Sequence, residues 1–210
     1  MISKLLVVVL MIPGLLLAEE GWVTLFDGSS LEGWRSNEEQ PDVFTITETG
    51  ELKVFGGRAH LFWEGNETVP TEIQNFEFKA KVKTTPQSNG GIFFHTQFQE
   101  SGWPEYGLEA QINTTHKDRR KTASIYAIQD VLDDAPSTDG EWFDYLIRVQ
   151  GKTVTVEING KVVNEYTEPT PVVTPEKRPN TRLGKGTFAL QGHDPKSTTY
   201  FKDIRVRLLD

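Results

Sequence analysis

The stretch that decides the fold is Asn89-Gly90-Gly91-Ile92-Phe93-Phe94-His95-Thr96-Gln97, and its counterpart is Tyr106-Gly107-Leu108-Glu109-Ala110-Gln111-Ile112-Asn113. Alternate side chains of a β-strand point to opposite faces of the sheet. The first stretch is therefore predicted to place Ile92 and Phe94 on one face and His95 and Gln97 on the other. The second stretch divides in the same way into an apolar and a polar set, Leu108, Ala110 and Ile112 against Glu109, Gln111 and Asn113. Each stretch predicts a strand with one apolar face and one face of hydrogen-bonding groups.

Two later stretches repeat this division. Ser124 and Tyr126 alternate with small and apolar residues, and Gln191 and His193 alternate with Leu190 and Gly192. An ordinary solvent face carries mostly Lys, Glu and Thr, as residues 73–83 do with Glu77, Lys79, Lys81 and Lys83. We therefore predict that the four polar faces line one pocket.

The rest of the chain consists of short strand patterns separated by glycine, proline and polar turns. Asn159-Gly160 between two alternating runs is the strongest hairpin signal. No convincing amphipathic helix of three turns follows residue 18, and no internal repeat is evident. This organisation predicts an all-β fold, an antiparallel two-sheet sandwich or jelly roll.

The amino terminus indicates export. Residues 1–18 have a lysine at position 4, an apolar run from Leu5 to Leu17 and a small residue at Ala18, a pattern typical of a secretory signal peptide. The apolar run is shorter than a spanning helix needs, although Leu16 is a poor match to the cleavage rule and leaves a retained anchor as the alternative. We expect residues 19–210 to form a single domain in the periplasm or outside the cell, with no membrane span after processing.

Composition restricts the partners. The chain has no cysteine, which excludes disulfides and a thiolate nucleophile. Its net charge is −8, and removal of Lys4 with the signal peptide makes it −8 − 1 = −9. This acidity argues against nucleic acid as a partner, because nucleic acid requires a basic patch.

The usual catalytic motifs are absent, including G-x-S-x-G, H-E-x-x-H and the phosphate-binding loop. His95, Glu109 and His193 could supply a base, an acid or a metal site. Trp103, in the loop from Phe98 to Glu105, could lie at a pocket rim where sugar rings stack on aromatic faces, or could plug the core instead.

Seven segments taken together resemble the 3-keto-disaccharide hydrolase domain family, also described as 3-keto-glucoside lyase/hydratase. They are residues 22–28, 31–34, 88–95, 106–112, 140–142, 190–194 and 200–206. The match runs in order from Trp22 to Leu208, essentially the whole chain after the predicted signal peptide. The resemblance implies a concanavalin A-like jelly roll, of lectin and glucanase type, whose concave sheet binds sugar.

The resemblance also implies a reaction and a set of site residues. The reaction cleaves a 3-keto-glycoside by elimination, with Glu109 or His193 as base, and water then adds to the product. His95, the third candidate catalytic residue, stands where many relatives have arginine. Gln111, Gln191, Tyr126 or a bound divalent metal would stabilise the enolate oxygen. The full set of predicted substrate-binding residues is Gln97, Trp103, Gln111, Asn113, Tyr126, Trp142 and Gln191.

Two other readings fit the same sequence. One is a non-catalytic carbohydrate-binding module that uses Trp103, Tyr126 and Trp142 as stacking platforms for an oligosaccharide. The other is a structural or partner-binding domain of a secreted complex, because a fold by itself does not fix a function.

Overall fold

The computed structural model of the chain describes residues 20–37 and 39–210. The predicted signal peptide lies outside the described residues. The strands are numbered here in chain order. They are β1 (Val23–Phe26), β2 (Trp34–Ser36), β3 (Phe44–Ile46), β4 (Leu52–Phe55), β5 (Ala59–Trp63), β6 (Phe76–Thr84), β7 (Asn89–Thr96), β8 (Leu108–Asn113), β9 (Phe143–Gln150), β10 (Thr153–Ile158), β11 (Lys161–Thr167), β12 (Thr187–Gly192) and β13 (Thr198–Leu208).

The strands form two antiparallel sheets. The larger sheet has the order β11-β10-β9-β6-β13-β4-β3, with β1 also paired to β13, and the smaller sheet has the order β2-β5-β12-β7-β8. The helical structure of the described residues is a single 3₁₀ turn at Pro41–Val43. None of the described helical structure is long and apolar enough to cross a membrane. The predicted all-β, two-sheet antiparallel fold is confirmed.

The core lies between the two sheets, as the alternation of apolar and polar residues along the strands predicts. All six residues predicted to be buried there are buried and belong to one apolar cluster, namely Ile92, Phe94, Leu108, Ala110, Ile112 and Leu190. Phe188 on β12 connects the sheets, because its ring centre lies 4.9 Å from that of Phe76 and 5.0 Å from that of Phe78, both on β6. The alternation therefore fixes which face of the smaller sheet is turned away from the core.

The hairpin predicted at Asn159-Gly160 is present and joins β10 to β11. Both residues have positive φ, 51° and 72°. Two consecutive positive φ angles are what a type I′ turn requires, and this turn follows the right-handed twist of the strands.

One of the four predicted polar strands is irregular. Residues 123–127 contain two positive φ angles, 74° at Ala123 and 60° at Ala127, which break the extended backbone. The segment still continues the smaller sheet beyond β8, because the N–H of Gln111 donates to the carbonyl of Ser124 (2.9 Å) and the N–H of Tyr126 donates to that of Glu109 (2.9 Å). Ser124 does not reach the pocket, since its hydroxyl donates to the carbonyl of Val131 (3.1 Å).

Candidate active site

The outer face of the smaller sheet is half apolar and half polar. The apolar half consists of Phe62, Phe93 and Ala189 with Phe98 packed against them. The polar half forms the floor of a cavity of about 690 Å³. The cavity is lined by Asn89, Trp103, Pro104, Glu105, Glu109, Gln111, Tyr126, Lys177, Arg178, Pro179, Asn180, Gln191 and His193. Its volume lies within the range of about 300–1,000 Å³ that is usual for small-molecule sites.

Glu109 lies on the floor of this cavity, and Gly91 makes room for it. The two residues are on neighbouring strands, β8 and β7. A Cβ atom placed on Gly91 would lie 2.6 Å from Oε1 of Glu109, closer than a Cβ atom approaches an unbonded oxygen. The structure assigns the space at Gly91 to the Glu109 side chain.

Two glutamines hold the Glu109 carboxyl group in place. Gln191 on β12 donates from Nε2 to Oε1 of Glu109 at 2.9 Å. In the amide orientation that satisfies its neighbours, Gln111 donates to the same oxygen at 3.1 Å and to the carbonyl of Gly90 at 3.0 Å. Glu109 is only 7% exposed. The carboxyl group is therefore buried and fixed by neutral donors.

This environment raises the pKa of Glu109. Burial is the main cause and outweighs the nearby charge of Arg178 and the hydrogen bond from Gln191, so the pKa rises from 4.5 to about 7. The charge of Asp118 adds to the rise, and that of Arg120 opposes it. A carboxyl group with a pKa near the working pH can both accept and return a proton efficiently.

The raised pKa also links protein stability to pH. Between pH 4.5 and about 7 the folded state keeps a proton on Glu109 that the unfolded state has released, so the free energy of unfolding falls as pH rises through this window. We expect Glu109→Gln to be more stable than the wild type above about pH 7, by up to about 3 kcal/mol. Urea unfolding of both proteins from about pH 4.5 to about pH 8 measures the difference. A stability difference that does not change with pH would contradict the raised pKa.

His193 lies at the rim of the cavity, directly after β12. Its Nδ1 is 3.0 Å from Oδ2 of Asp194, and its ring centre is 5.3 Å from that of Trp103. Burial alone would raise the pKa of Asp194, but hydrogen bonds from Ser197, His193 and the N–H of Lys196 outweigh burial and lower the pKa to about 2. Asp194 is therefore an anionic partner for His193 near neutral pH.

The walls of the cavity are aromatic and cationic. Trp103 is 40% exposed and lines the cavity, which is the first of the two positions that the sequence leaves open for it. Tyr126 lies beneath two guanidinium groups, with its ring centre 4.7 Å from Cζ of Arg120 and 5.3 Å from Cζ of Arg178. The segment 177–180, which carries Arg178 to the cavity, lies in the loop between β11 and β12. Strand periodicity contains no signal that could have placed it there.

The structure does not bring His95 to the cavity, so the predicted position of His95 on the polar face is wrong. His95 has a positive φ of 56° at an irregularity in the pairing of β7 with β12. This turns the ring toward Phe76 of the core, with 5.7 Å between ring centres. Its Nε2 contacts the carbonyl of Gln74 (2.9 Å), and its Nδ1 accepts from the N–H of Gly184 (3.2 Å). Burial lowers the pKa of His95 to about 4, so it is a neutral structural residue.

Three predicted substrate-binding residues also lie outside the cavity lining. Gln97 is exposed beyond the end of β7. Asn113 is buried, and its Nδ2 donates to the carbonyls of Asp118 and Arg120 at 2.9 and 2.7 Å. Trp142 lies on the outer face of the larger sheet, where the ammonium groups of Lys83 and Lys202 are 4.5 and 4.3 Å from its ring centre. The prediction that these three line the pocket is wrong, whereas Glu109, Gln111, Tyr126, Gln191, Trp103 and His193 do meet there.

The two antiparallel sheets define a jelly-roll sandwich, with the cavity on the outer face of the smaller sheet. The chain belongs to the family of 3-keto-alpha-glucoside-1,2-lyase-like domains, whose model matches residues 21–207. This confirms the resemblance drawn from the sequence.

Similar proteins include one from Bacteroides thetaiotaomicron named 3-keto-disaccharide hydrolase, which is 28% identical over 173 residues. The match covers 70% of this chain and spans 59% of the length of that relative. A Parabacteroides distasonis protein, provisionally designated a glycosyl hydrolase, has a crystal structure that superposes with a TM-score of 0.75. It is 22% identical, with 91% of this chain and 95% of that chain covered. The carbohydrate-binding module CBM66 of Bacillus subtilis superposes with a TM-score of 0.53 at 11% identity, with 83% of this chain and 95% of that chain covered. At such identities the two structures show the fold alone.

Proposed function

We propose that this protein is a carbohydrate-active enzyme that cleaves 3-keto-glycosides, with Glu109 as the general base. The observation that carries the proposal is a single buried carboxyl group, with its pKa near 7, on the floor of a cavity of about 690 Å³. Family membership supports the substrate class, and the name of the Bacteroides relative supports net hydrolysis.

The reaction follows from the acidity that a ketone confers on its neighbours. A ketone at C3 of the sugar acidifies the hydrogen on C2, and Glu109 removes this hydrogen as a proton. The electron pair forms a C1–C2 double bond, and the aglycone leaves from C1 with the bonding pair and takes up a proton. Water then adds its oxygen to C1 and a hydrogen to C2. The net result is hydrolysis of the glycosidic bond.

This route needs one base, whereas ordinary glycosidases need a pair of carboxyl groups placed on either side of the bond. Of the residues that line the cavity, Glu105 is the other acid, and it is exposed at the rim. The lining supplies neutral and cationic donors that suit an enolate oxygen, among them Gln111, Gln191, Tyr126 and Arg178. A site with one buried carboxyl group and several donors supports elimination better than direct displacement.

The second candidate is the non-catalytic carbohydrate-binding module. Trp103 and Tyr126 still offer aromatic faces in the cavity, whereas Trp142 lies on the other sheet. Binding alone gives no reason to bury a carboxyl group and raise its pKa, which favours the enzyme. We also propose, from the amino-terminal pattern, that the protein acts outside the cytoplasm.

Product formation from a 3-keto-disaccharide, compared with the same disaccharide unoxidised, tests the proposal. We expect turnover of the 3-keto form only, because the unoxidised sugar lacks the acidified hydrogen. Calorimetric titration with both sugars provides the control for binding. Tight binding of both sugars with no product from either would support the module and overturn the enzyme.

A further inference from the structure

We propose that His116, His193 and Asp194 bind one divalent transition-metal ion at the rim of the cavity. Oδ2 of Asp194 lies 3.0 Å from Nδ1 of His193 and 3.9 Å from Nε2 of His116. The three side chains can each offer a ligand atom within 4.8 Å of the other two. Metal–nitrogen and metal–oxygen bonds of about 2.0–2.2 Å separate neighbouring ligand atoms by about 3.0–3.5 Å. Small side-chain movements therefore suffice to close the set around an ion.

The carboxylate of this triad is held by neighbouring donors. The hydroxyl of Ser197 donates to Oδ2 of Asp194 at 2.7 Å, and the N–H of Lys196 donates to Oδ1 at 2.9 Å. The hydroxyl oxygen of Ser197 in turn accepts from the N–H of Asn89 at 2.9 Å. Metal ligands are usually oriented in this way by hydrogen bonds from residues behind them.

The hydrogen-bond network also favours the metal-binding form of His116. When Gln111 donates to Glu109 and Gly90, its oxygen lies 3.3 Å from one of the two terminal atoms of the Asn89 carboxamide. That atom must be the nitrogen, because only the nitrogen can donate to an oxygen. The other end, the oxygen, lies 3.2 Å from Nδ1 of His116. Nδ1–H of His116 therefore donates a hydrogen bond to the Asn89 oxygen. This leaves the lone pair on Nε2, which faces Oδ2 of Asp194.

One contact opposes this tautomer, because the N–H of Asp118 also lies 3.2 Å from Nδ1 of His116. A lone pair directed at a carboxylate is unfavourable unless a cation lies between them. A bound ion removes that repulsion, because it accepts the Nε2 lone pair of His116 as a ligand.

The ligand set selects the kind of ion. Two imidazoles and one carboxylate suit Zn²⁺ and other first-row divalent ions, whereas Ca²⁺ requires six to eight oxygen ligands. Three protein ligands leave coordination positions open, as in catalytic rather than structural zinc sites. His193 lines the same cavity as Glu109, so a sugar oxygen bound there could take an open position. This assignment makes His193 a ligand and leaves Glu109 as the base.

Metal binding is measured directly and does not depend on the proposed reaction. Chain without an affinity tag, stripped with a chelator, is titrated with Zn²⁺, Mn²⁺ and Ca²⁺ by calorimetry. We expect one Zn²⁺ or Mn²⁺ per chain and no comparable binding of Ca²⁺. His116→Ala, His193→Ala and Asp194→Asn should each weaken the affinity by at least about tenfold.

Asp133→Asn is the matched control, because it makes the same change at an exposed residue paired with Arg119. Its affinity for the ion should equal that of the wild type. Thermal unfolding shows whether each variant is folded. If Asp194→Asn does not fold, the affinities of the two histidine variants test the metal site. Lack of stoichiometric Zn²⁺ or Mn²⁺ binding, or affinities unchanged by the histidine substitutions, would overturn the site while leaving the role of Glu109 intact.

Discussion

Glu109→Gln is expected to lower turnover of a 3-keto-disaccharide by about 10²–10⁴-fold, the usual loss when a general base is removed. Glutamine keeps the size of the side chain and its hydrogen bonds but cannot accept the C2 proton. Sugar binding should survive, because the glutamines and aromatic walls around residue 109 remain. Steady-state kinetics with a calorimetric titration separates the loss of turnover from any loss of binding.

Glu105→Gln is the matched control for this experiment. Glu105 lines the same cavity but is exposed at its rim, so its substitution should leave turnover within a few-fold of the wild type. If Glu105→Gln caused the large loss and Glu109→Gln did not, the assignment of the base would be wrong.

The second large effect concerns stability. Phe188→Ala should lower the free energy of unfolding by about 3–5 kcal/mol. Phe188 is 1% exposed, and its ring packs edge-on against Phe76 and tilted against Phe78 of the opposite sheet. Its removal leaves a cavity where the two sheets meet, and rigid sheets close such a cavity only partly. Urea unfolding monitored by tryptophan fluorescence measures the change.

Phe55→Ala provides the comparison. Phe55 is 48% exposed on β4, and its loss should change the free energy of unfolding by no more than about 0.5 kcal/mol. Equal losses for the two variants would contradict the position of Phe188 between the sheets.

Much of the fold could be predicted because strand alternation is a local property. The apolar set at Ile92, Phe94 and Leu190 is buried as predicted, and the Asn159-Gly160 turn joins the two strands that flank it. Strand alternation also predicts correctly that Glu109 and Gln191 lie on the same face of the smaller sheet. Where the backbone stays regular, the sequence states which face each side chain occupies.

Side-chain positions were predicted wrongly or missed where the backbone is irregular, and where a position depends on the sheet to which a strand belongs. A positive φ at His95 reverses the alternation at the end of β7. The sequence does not indicate it, because the residue is a histidine and not a glycine. Trp142 immediately precedes β9, and period alone does not say to which sheet that strand belongs. His116 lies in a charged turn outside any strand, so its proximity to Asp194 depends on the tertiary fold. The loop that carries Arg178 over Tyr126 follows no period at all.

In the proposed mechanism, the C2 hydrogen of a 3-keto-glycoside leaves as a proton to Glu109. The most direct measurement is the kinetic isotope effect on turnover of substrate carrying deuterium at C2, followed together with exchange of that position in heavy water. We predict that deuterium slows the wild-type reaction and that Glu109→Gln abolishes the exchange. Cleavage of the 3-keto sugar with no isotope effect at C2, and with Glu109→Gln as active as the wild type, would contradict the mechanism.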